Sequence, residues 1–476
     1  REFVYMMAVL GAAPVFANSH TRMVETSKKL EDYYKLKPFG NARFMHMTDS
    51  HAQLLPVYFR EPSVNLGFFS NFGKPPHIVG EKFLDYYGIK GNKRLEYAFS
   101  CVNFEEHAKV MGRTGGFAQI KTVVDYLRES FGADKTLLMD GGDTWQGSAT
   151  SLWTRGKDMV GAMNLLGVDV AVGHWEFTYK AEEVLANVKE LKAEFLAQNI
   201  FVKEDALMNG AEAFDEDSGL AFKPYTIKNM GKARVAIIGQ AFPYTTIANP
   251  QRFIPDWTFG IKEDTMQELV NKIKTEEKPD AIIVLSHNGF DTDKKMAEVV
   301  TGIDFIMGGH THDGVPEAVP VKNANGTTYV CNAGSNGKFL NVLDLDIQNG
   351  KIKDFKFTLL PIFSDLIPEN KDMKKYIEDV RLPYLKELTR PIATTEQTLF
   401  RRGNFNGSWD QIICDALLEV KEAQISLSPG FRWGTSVMPG QTITFDDLMT
   451  QTAMTYPETY ARNISGKDIK DILEDV

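Results

Sequence analysis

Histidine and aspartate in this chain gather immediately after short, strand-like apolar runs, and that placement limits the folds open to it. Asp49-Ser50-His51 follows Phe44–Met47, Gly141-Gly142-Asp143 follows Thr136–Met139, and Gly308-Gly309-His310-Thr311-His312 follows Ile303–Met307. His174 comes after Val168–Val172 and His287 after Ala281–Ser286. In an α/β sheet, side chains just past the carboxyl ends of strands converge on one crevice. Seven potential metal ligands would meet there, too many for one ion and enough for two that share a bridging carboxylate. A satisfied structural histidine explains any one of them. It explains poorly why five of the nine histidines in the chain fall at strand ends. The pattern points to a two-metal hydrolase.

The rest of the chain fits such a frame. From about Asn41 to Phe363, short apolar strands alternate with amphipathic stretches at Gly116–Ser130, Ala181–Glu194, Met266–Lys274 and Lys294–Thr301. Further strands are expected at Ala233–Ile238, Thr328–Cys331 and Leu340–Ile347. Repeated β-then-α order predicts a layered α/β domain, a β-sandwich flanked by helices. Leu54–Met111, rich in Phe, Tyr, Gly and Pro, interrupts it directly after the first motif, as a lid or docking wall or as a plain surface excursion. After Phe363, Lys371–Leu388 reads as a charged amphipathic helix, with a new start at Ala393 and a helix at Asn406–Glu422. The domains expected are a metallohydrolase unit over 18–365 with the insertion 54–111, a helical linker over 366–392, and a smaller α/β domain over 393–476. That last domain looks cut short, because the sequence ends inside an apparent helix at Ile472–Val476.

Composition narrows the partners. Lys plus Arg is 53 and Asp plus Glu is 63, a net charge of −10. An acidic balance argues against nucleic acid and anionic membrane surfaces, which call for a basic face. An anionic substrate stays open, because bound cations reverse the field locally. The first 17 residues, with Arg1-Glu2-Phe3, an apolar run through Leu10 and small residues near Ala17, read as the remnant of a twin-arginine-type export signal rather than a buried helix. Periplasmic residence follows as an expectation. Cys101, Cys331 and Cys414 form no CxxC pair and could make at most one disulfide.

Asp-x-His, Gly-Gly-Asp, Gly-His, a lone Ser-His and Gly-His-x-His, in this order, resemble the calcineurin-like metallophosphoesterases, and the two-domain layout resembles their 5′-nucleotidase branch. Finer details are similar to the SoxB thiosulfohydrolases of bacterial sulfur oxidation. These are Met47–Gln53, Leu54–Pro62, Arg113-x-Gly115-Gly116-Phe117, Gly142–Ser148, Gly173–Tyr179 and Phe431–Gly434. The resemblance implies one metal on Asp49, His51 and His312 and a second on His174, His287 and His310. Asp143 would bridge them and hold a bridging hydroxide as the nucleophile. Mixed carboxylate and imidazole ligation suits a first-row divalent ion. The family implies two Mn²⁺, with Zn²⁺ or Fe²⁺ compatible with the same ligands.

The resemblance implies a monomeric enzyme acting on a cysteine S-thiosulfonate held on the flexible arm of a SoxYZ-like carrier protein, with release of sulfate. Nucleotidases have Asn-His-Glu where this chain has His174-Trp175-Glu176, so the histidine that assists their transition state is replaced. A persulfide leaves without a proton, which makes that loss tolerable. Arg113, Trp175 and Arg432 are candidate substrate contacts, although surface solvation for Arg113 and a structural ion pair for Arg432 fit equally well. Gln146 and Glu176 are expected to support the ligands. Two other readings compete: a periplasmic 5′-nucleotidase or 2′,3′-cyclic phosphodiesterase, and a catalytically silent metal-binding scaffold.

Overall fold

A computed structural model describes residues 21–22, 34–401, 407–428, 434–452, 455–456 and 458–475. Residues 1–17, read above as an export signal, and Arg432 lie outside that set. Two mixed sheets form the main domain. One runs Thr21–Arg22, Lys351–Pro361, Phe339–Gln348, Ala42–Met47, Thr136–Asp140, Val170–Ala171 and Glu194–Phe195. The other runs Val319–Asn323, Gly326–Asn332, Phe305–Gly308, Ala281–Ser286, Ala233–Gln240 and Tyr225–Met230. In each sheet the middle strands are parallel, so their carboxyl ends open on the same side.

Side-chain alternation shows why the second sheet is a filling between two layers. Val235, Ile237, Ile283, Leu285, Phe305 and Met307 join the core shared with the first sheet. Their neighbours Ala236, Ile238, Ile282, Val284 and Ile306 join a separate core under helices Glu263–Glu276 and Phe290–Val299. The middle strands are thus apolar along most of their length because both faces are covered, as parallel sheets require. Phe355 of the first sheet meets Phe305 and Tyr329 of the second at ring-centroid distances of 5.1 and 4.6 Å, closing the sandwich. The fold is the expected layered α/β sandwich with helices outside.

Two local expectations need correcting, and one strand had no expectation at all. Val168–Val172 shrinks to a two-residue strand, Val170–Ala171. The helix from Ala181 stops at Glu190, and Glu194 instead begins a short edge strand. The longest strand, Lys351–Pro361, gave no apolar signal in its first half because Lys351, Lys353 and Asp354 line its wet end.

The helical part of the insertion packs into the main domain, while Phe68, Phe69 and Phe72 before it are exposed. Helices Gly80–Tyr86, Lys93–Phe99 and Phe104–Met111 send Phe83, Leu84, Leu95, Tyr97, Phe99 and Phe104 into the main core. Phe99 stacks on Phe339 at 4.9 Å. Helix Lys371–Arg381, capped by the Asn370 side chain, lies on the same domain: Met373 and Ile377 are buried, and Tyr376 Oη donates to Asp158 O at 2.7 Å. Beyond it, strands Pro391–Thr394 and Thr442–Thr444 pair antiparallel beside helices Ser408–Lys421 and Phe445–Thr452. Their small core is Leu399, Trp409, Val437 and Ile443.

Candidate metal centre

All seven strand-end residues meet in one place. Asp143, His174, His287 and His310 form one group, and Asp49, His51, Asp143 and His312 form a second; in each group the potential ligand atoms lie within 4.8 Å of one another. Asp143 belongs to both. Its Oδ2 is 3.1 Å from His287 Nε2 on one side and 3.9 Å from His51 Nε2 on the other. Asp49 Oδ1 is 3.1 Å from His312 Nε2. His51 Nε2 and His312 Nε2 are 2.9 Å apart. Two nitrogens on one ion at about 2.1 Å and roughly a right angle would stand about 3 Å apart, so this spacing suits a shared metal. Buried His174 Nε2 and His310 Nδ1 have no hydrogen-bond partner in a fold that satisfies most such groups. The two clusters fit a dinuclear metal site.

The backbone is bent to make this possible. Asp49, His51, Asp143, His310 and His312 all have positive φ, between 46 and 75°. Such strain costs about 1–3 kcal/mol per residue and persists only where the surroundings impose it. Here the surroundings are turns tied to one another: Asp49 N–H donates to Gly142 O and His51 N–H to Asp143 O, both at 2.8 Å. Gly142 itself sits at φ 91°, with His287 Nδ1 against its Cα face. Fixing ligands before the ion arrives keeps its geometry uniform.

Electrostatics divide the site. Burial would raise the Asp143 carboxyl, yet the His174 and His287 imidazoles hold it well below the usual carboxylate range. Burial opposes Asp49 in the same way, and His312 and His287 keep it low. Burial disfavours a charged His287, but Asp143 and Asp49 push it up to about 10. Burial brings His51 down to about 3 and His310 well below its ordinary value. The carboxylates are therefore ionised, and His51 and His310 are neutral with lone pairs available, as ligation needs.

Glu176 organises the turn rather than donating protons. Its Oε1 accepts from Thr144 N at 2.7 Å and Trp145 N at 3.1 Å; its Oε2 accepts from His174 N at 2.7 Å and Asp143 N at 3.2 Å. One carboxylate thus ties two ligand-bearing turns together. Burial, then the Asp143 charge, push its carboxyl upward, and the amides work against them. Gln146 is fully buried next to this turn. Trp175 N–H donates to Asp143 Oδ1 at 2.8 Å. Thr178 Oγ1 returns to Trp175 O at 2.8 Å. Arg113 is not gathered into the clusters: it is exposed, with its guanidinium 5.3 Å from the Tyr58 ring centroid.

Two aromatic residues escaped the sequence reading. Phe242 packs its ring 4.1 Å from His174 and 4.0 Å from His310, centroid to centroid. Tyr456 comes from the second domain and stacks on Trp175 at 6.1 Å with planes 10° apart, its hydroxyl donating to Ala248 O at 2.8 Å. Neither has a motif. Their only signal is position in the folded chain.

Known proteins share this fold. The sulfate thiohydrolase SoxB of Thermus thermophilus is 34% identical, superposes with a TM-score of 0.86, and is matched over 92% of this chain and 79% of its own. The chain belongs, with SoxB, to the 5′-nucleotidase branch of the metallophosphoesterases. Within that branch a 5′-nucleotidase precursor from Thermus thermophilus shares the fold at a TM-score of 0.66 and 22% identity, matched over 86% of this chain and 73% of its own. The 5′-nucleotidase of Bos taurus is 28% identical over 331 residues, 64% of this chain and 54% of that protein. The chain spans about half the length of such curated relatives. No family model matches the chain. Its two His/Asp clusters are compatible with the dinuclear centre of that branch of metal-dependent hydrolases. Among the described residues no helix is long and apolar enough to cross a membrane.

Proposed function

We propose that this hydrolase is a thiosulfohydrolase. It cleaves a cysteine S-thiosulfonate on the arm of a SoxYZ-like carrier, in the periplasm, with two divalent ions, Mn²⁺ by family resemblance. The supporting observation is Trp175. It stands where nucleotidases keep a proton-donating histidine, its backbone is pinned to Asp143, and its ring is covered by Tyr456. An indole does not serve as a general acid, and a leaving group that departs unprotonated suits such a site.

When bound, the two ions would supply Lewis acidity and lower the pKa of water. The chain's residues do the rest. Asp49, Asp143 and the five imidazoles would hold the ions, Glu176 ties the turns that carry them, and Phe242 and Trp175 present apolar faces that keep bulk water away. Water oxygen bonds to the terminal sulfonyl sulfur, and the bond between that sulfur and the persulfide sulfur breaks. The overall change is R–S–S–SO₃⁻ + H₂O → R–S–S⁻ + SO₄²⁻ + 2 H⁺. The two electrons of the broken bond leave on the persulfide, which needs no proton. Arg432 is the proposed guanidinium partner of the sulfonate, suited by its planar fork.

Phosphomonoester hydrolysis is the second reading, favoured by the names of the curated relatives, which are 5′-nucleotidases. One assay separates the two. Metal-loaded protein is given thiosulfonated carrier in one vessel and a nucleoside monophosphate in another. Sulfate without phosphate is the expected result; phosphate without sulfate would replace this proposal by the nucleotidase one.

A further inference from the structure

Asp293 is buried beside the metal centre without being one of its ligands. It lies early in helix Phe290–Val299 and is fully shielded from solvent. Its Oδ1 accepts hydrogen bonds from Ser286 Oγ at 2.6 Å and from Asn288 Nδ2 at 3.1 Å. Those are the residues immediately before and after His287. Asn288 N–H donates in turn to Ser286 Oγ at 3.2 Å, and Asn288 Oδ1 accepts from Gln240 Nε2 at 3.0 Å. The backbone of His287 closes the ring by donating to Gln240 O at 2.9 Å. The peptide is held on both sides of the imidazole.

The other oxygen reaches the neighbouring ligand loop. Asp293 Oδ2 packs against Gly308, two residues before His310, so closely that a methyl group there would collide with it. Ser286 and Gly308 end adjacent parallel strands. One carboxylate therefore spans the two strand ends that deliver His287 and His310, which both belong to the group that also holds His174. Asp49 and His51 are secured elsewhere, through the carbonyls of Gly142 and Asp143. We propose that Asp293 is a positioning residue that sets the His287–His310 spacing, and through it the affinity of one of the two ions. The inference concerns metal loading and does not depend on which substrate is cleaved.

Supports of this kind typically change metal affinity ~10–100-fold. The test is calorimetric titration of the metal-free, full-length protein with Mn²⁺, alongside the melting temperature of the same metal-free samples. The wild type should bind two ions. Asp293→Ala should keep one site at wild-type affinity and weaken the other ~10–100-fold. Asp293→Asn retains the Oδ1 acceptor and should restore both sites. Gly308→Ala attacks the contact from the opposite side, so it decides the matter if Asp293→Ala does not fold; it too should weaken one site. Native affinity at both sites in Asp293→Ala or in folded Gly308→Ala would overturn the proposal. So would equal weakening of both sites in step with a lower metal-free melting temperature.

Discussion

The two halves of this molecule differ in how firmly their functional residues are held. In the larger one, the seven candidate ligands rise from the ends of packed parallel strands, six of them are buried, and several sit in strained backbone that neighbouring turns enforce. In the smaller one, the described residues share a core of four buried side chains, and Ile472 and Leu473 of helix Gly466–Asp475 face solvent. The smaller half reaches the centre through a ring, Tyr456 on Trp175. It leans on its partner through Ser436 N–H to Tyr58 O at 2.6 Å, Arg381–Asp446 at 2.6 Å and the Arg60 guanidinium over Phe400. Chemistry is thus rigid and overdetermined in one half, whereas access to it depends on a light and replaceable contact from the other. Substitutions should separate the two roles.

The sharpest break comes at Asp143, common to both clusters. Asp143→Ala should abolish binding of two ions and lower kcat by about three orders of magnitude or more, ~4 kcal/mol of barrier. Metal content and turnover on the same preparation check this. A variant that retains two ions and normal turnover would remove Asp143 from the bridging position.

Acid should undo the same half. His287 has a pKa of about 10 in the metal-free protein, above its ordinary 6.5, because Asp143 and Asp49 overcome the burial that would lower it. Its contribution to stability of the metal-free protein is fully present below about 6.5 and is lost as pH rises through about 10. Ligation needs the neutral ring, so metal affinity runs the other way. It should fall about tenfold for each pH unit below 10 on account of this one proton, or about a hundredfold from pH 8 to pH 6. Titrations in buffers of different ionisation enthalpy would count the released proton; none released would sever His287 from the metal.

Glu176→Gln is the next step down. An amide offers one acceptor and one donor where four backbone N–H groups need acceptors, so its NH₂ would face N–H groups. Metal affinity should drop ~10–100-fold with the fold intact. Unchanged affinity would make the carboxylate's four hydrogen bonds incidental to the centre.

How much of this was legible beforehand follows the same division. The ligands could be read because their chemistry is tied to residue type, and because a strand followed by Asp or His is a local pattern. Strands Ala281–Ser286 and Ala42–Met47 announced themselves as apolar runs because both faces of their sheets are covered. Lys351–Pro361 did not, since its exposed beginning is dressed in lysine. Phe242, Asp293 and Tyr456 were invisible for another reason. A phenylalanine, a carboxylate at a helix start or a lone tyrosine acquires its role only from what the fold sets against it, as Tyr456 does above Trp175.

Trp175→His tests whether the missing proton donor decides the leaving group. With the ions still bound, phosphomonoesterase activity should rise ~10-fold or more, since general acid catalysis commonly contributes 10²–10⁴-fold when well placed. Thiosulfonate hydrolysis should change little. A folded, metal-loaded variant without any gain on a nucleoside monophosphate would break the link between Trp175 and leaving-group choice.

The smallest effect is expected at Tyr456, and it bears most directly on the contrast between the halves. Stacking of two aromatic rings contributes ~0.5–1.5 kcal/mol beyond the area buried. Tyr456→Leu removes that, together with the hydroxyl's hydrogen bond to Ala248 O, while leaving every candidate ligand in place. Metal stoichiometry and affinity should therefore match the wild type. If the second domain only frames access, the loss should surface as a several-fold rise in KM for a carrier-bound substrate, with kcat within about twofold, the pattern of lost uniform binding. A fall in kcat with KM unchanged would mean that the ring over Trp175 acts in the transition state. The light half of the molecule would then share in the chemistry assigned here to the rigid one.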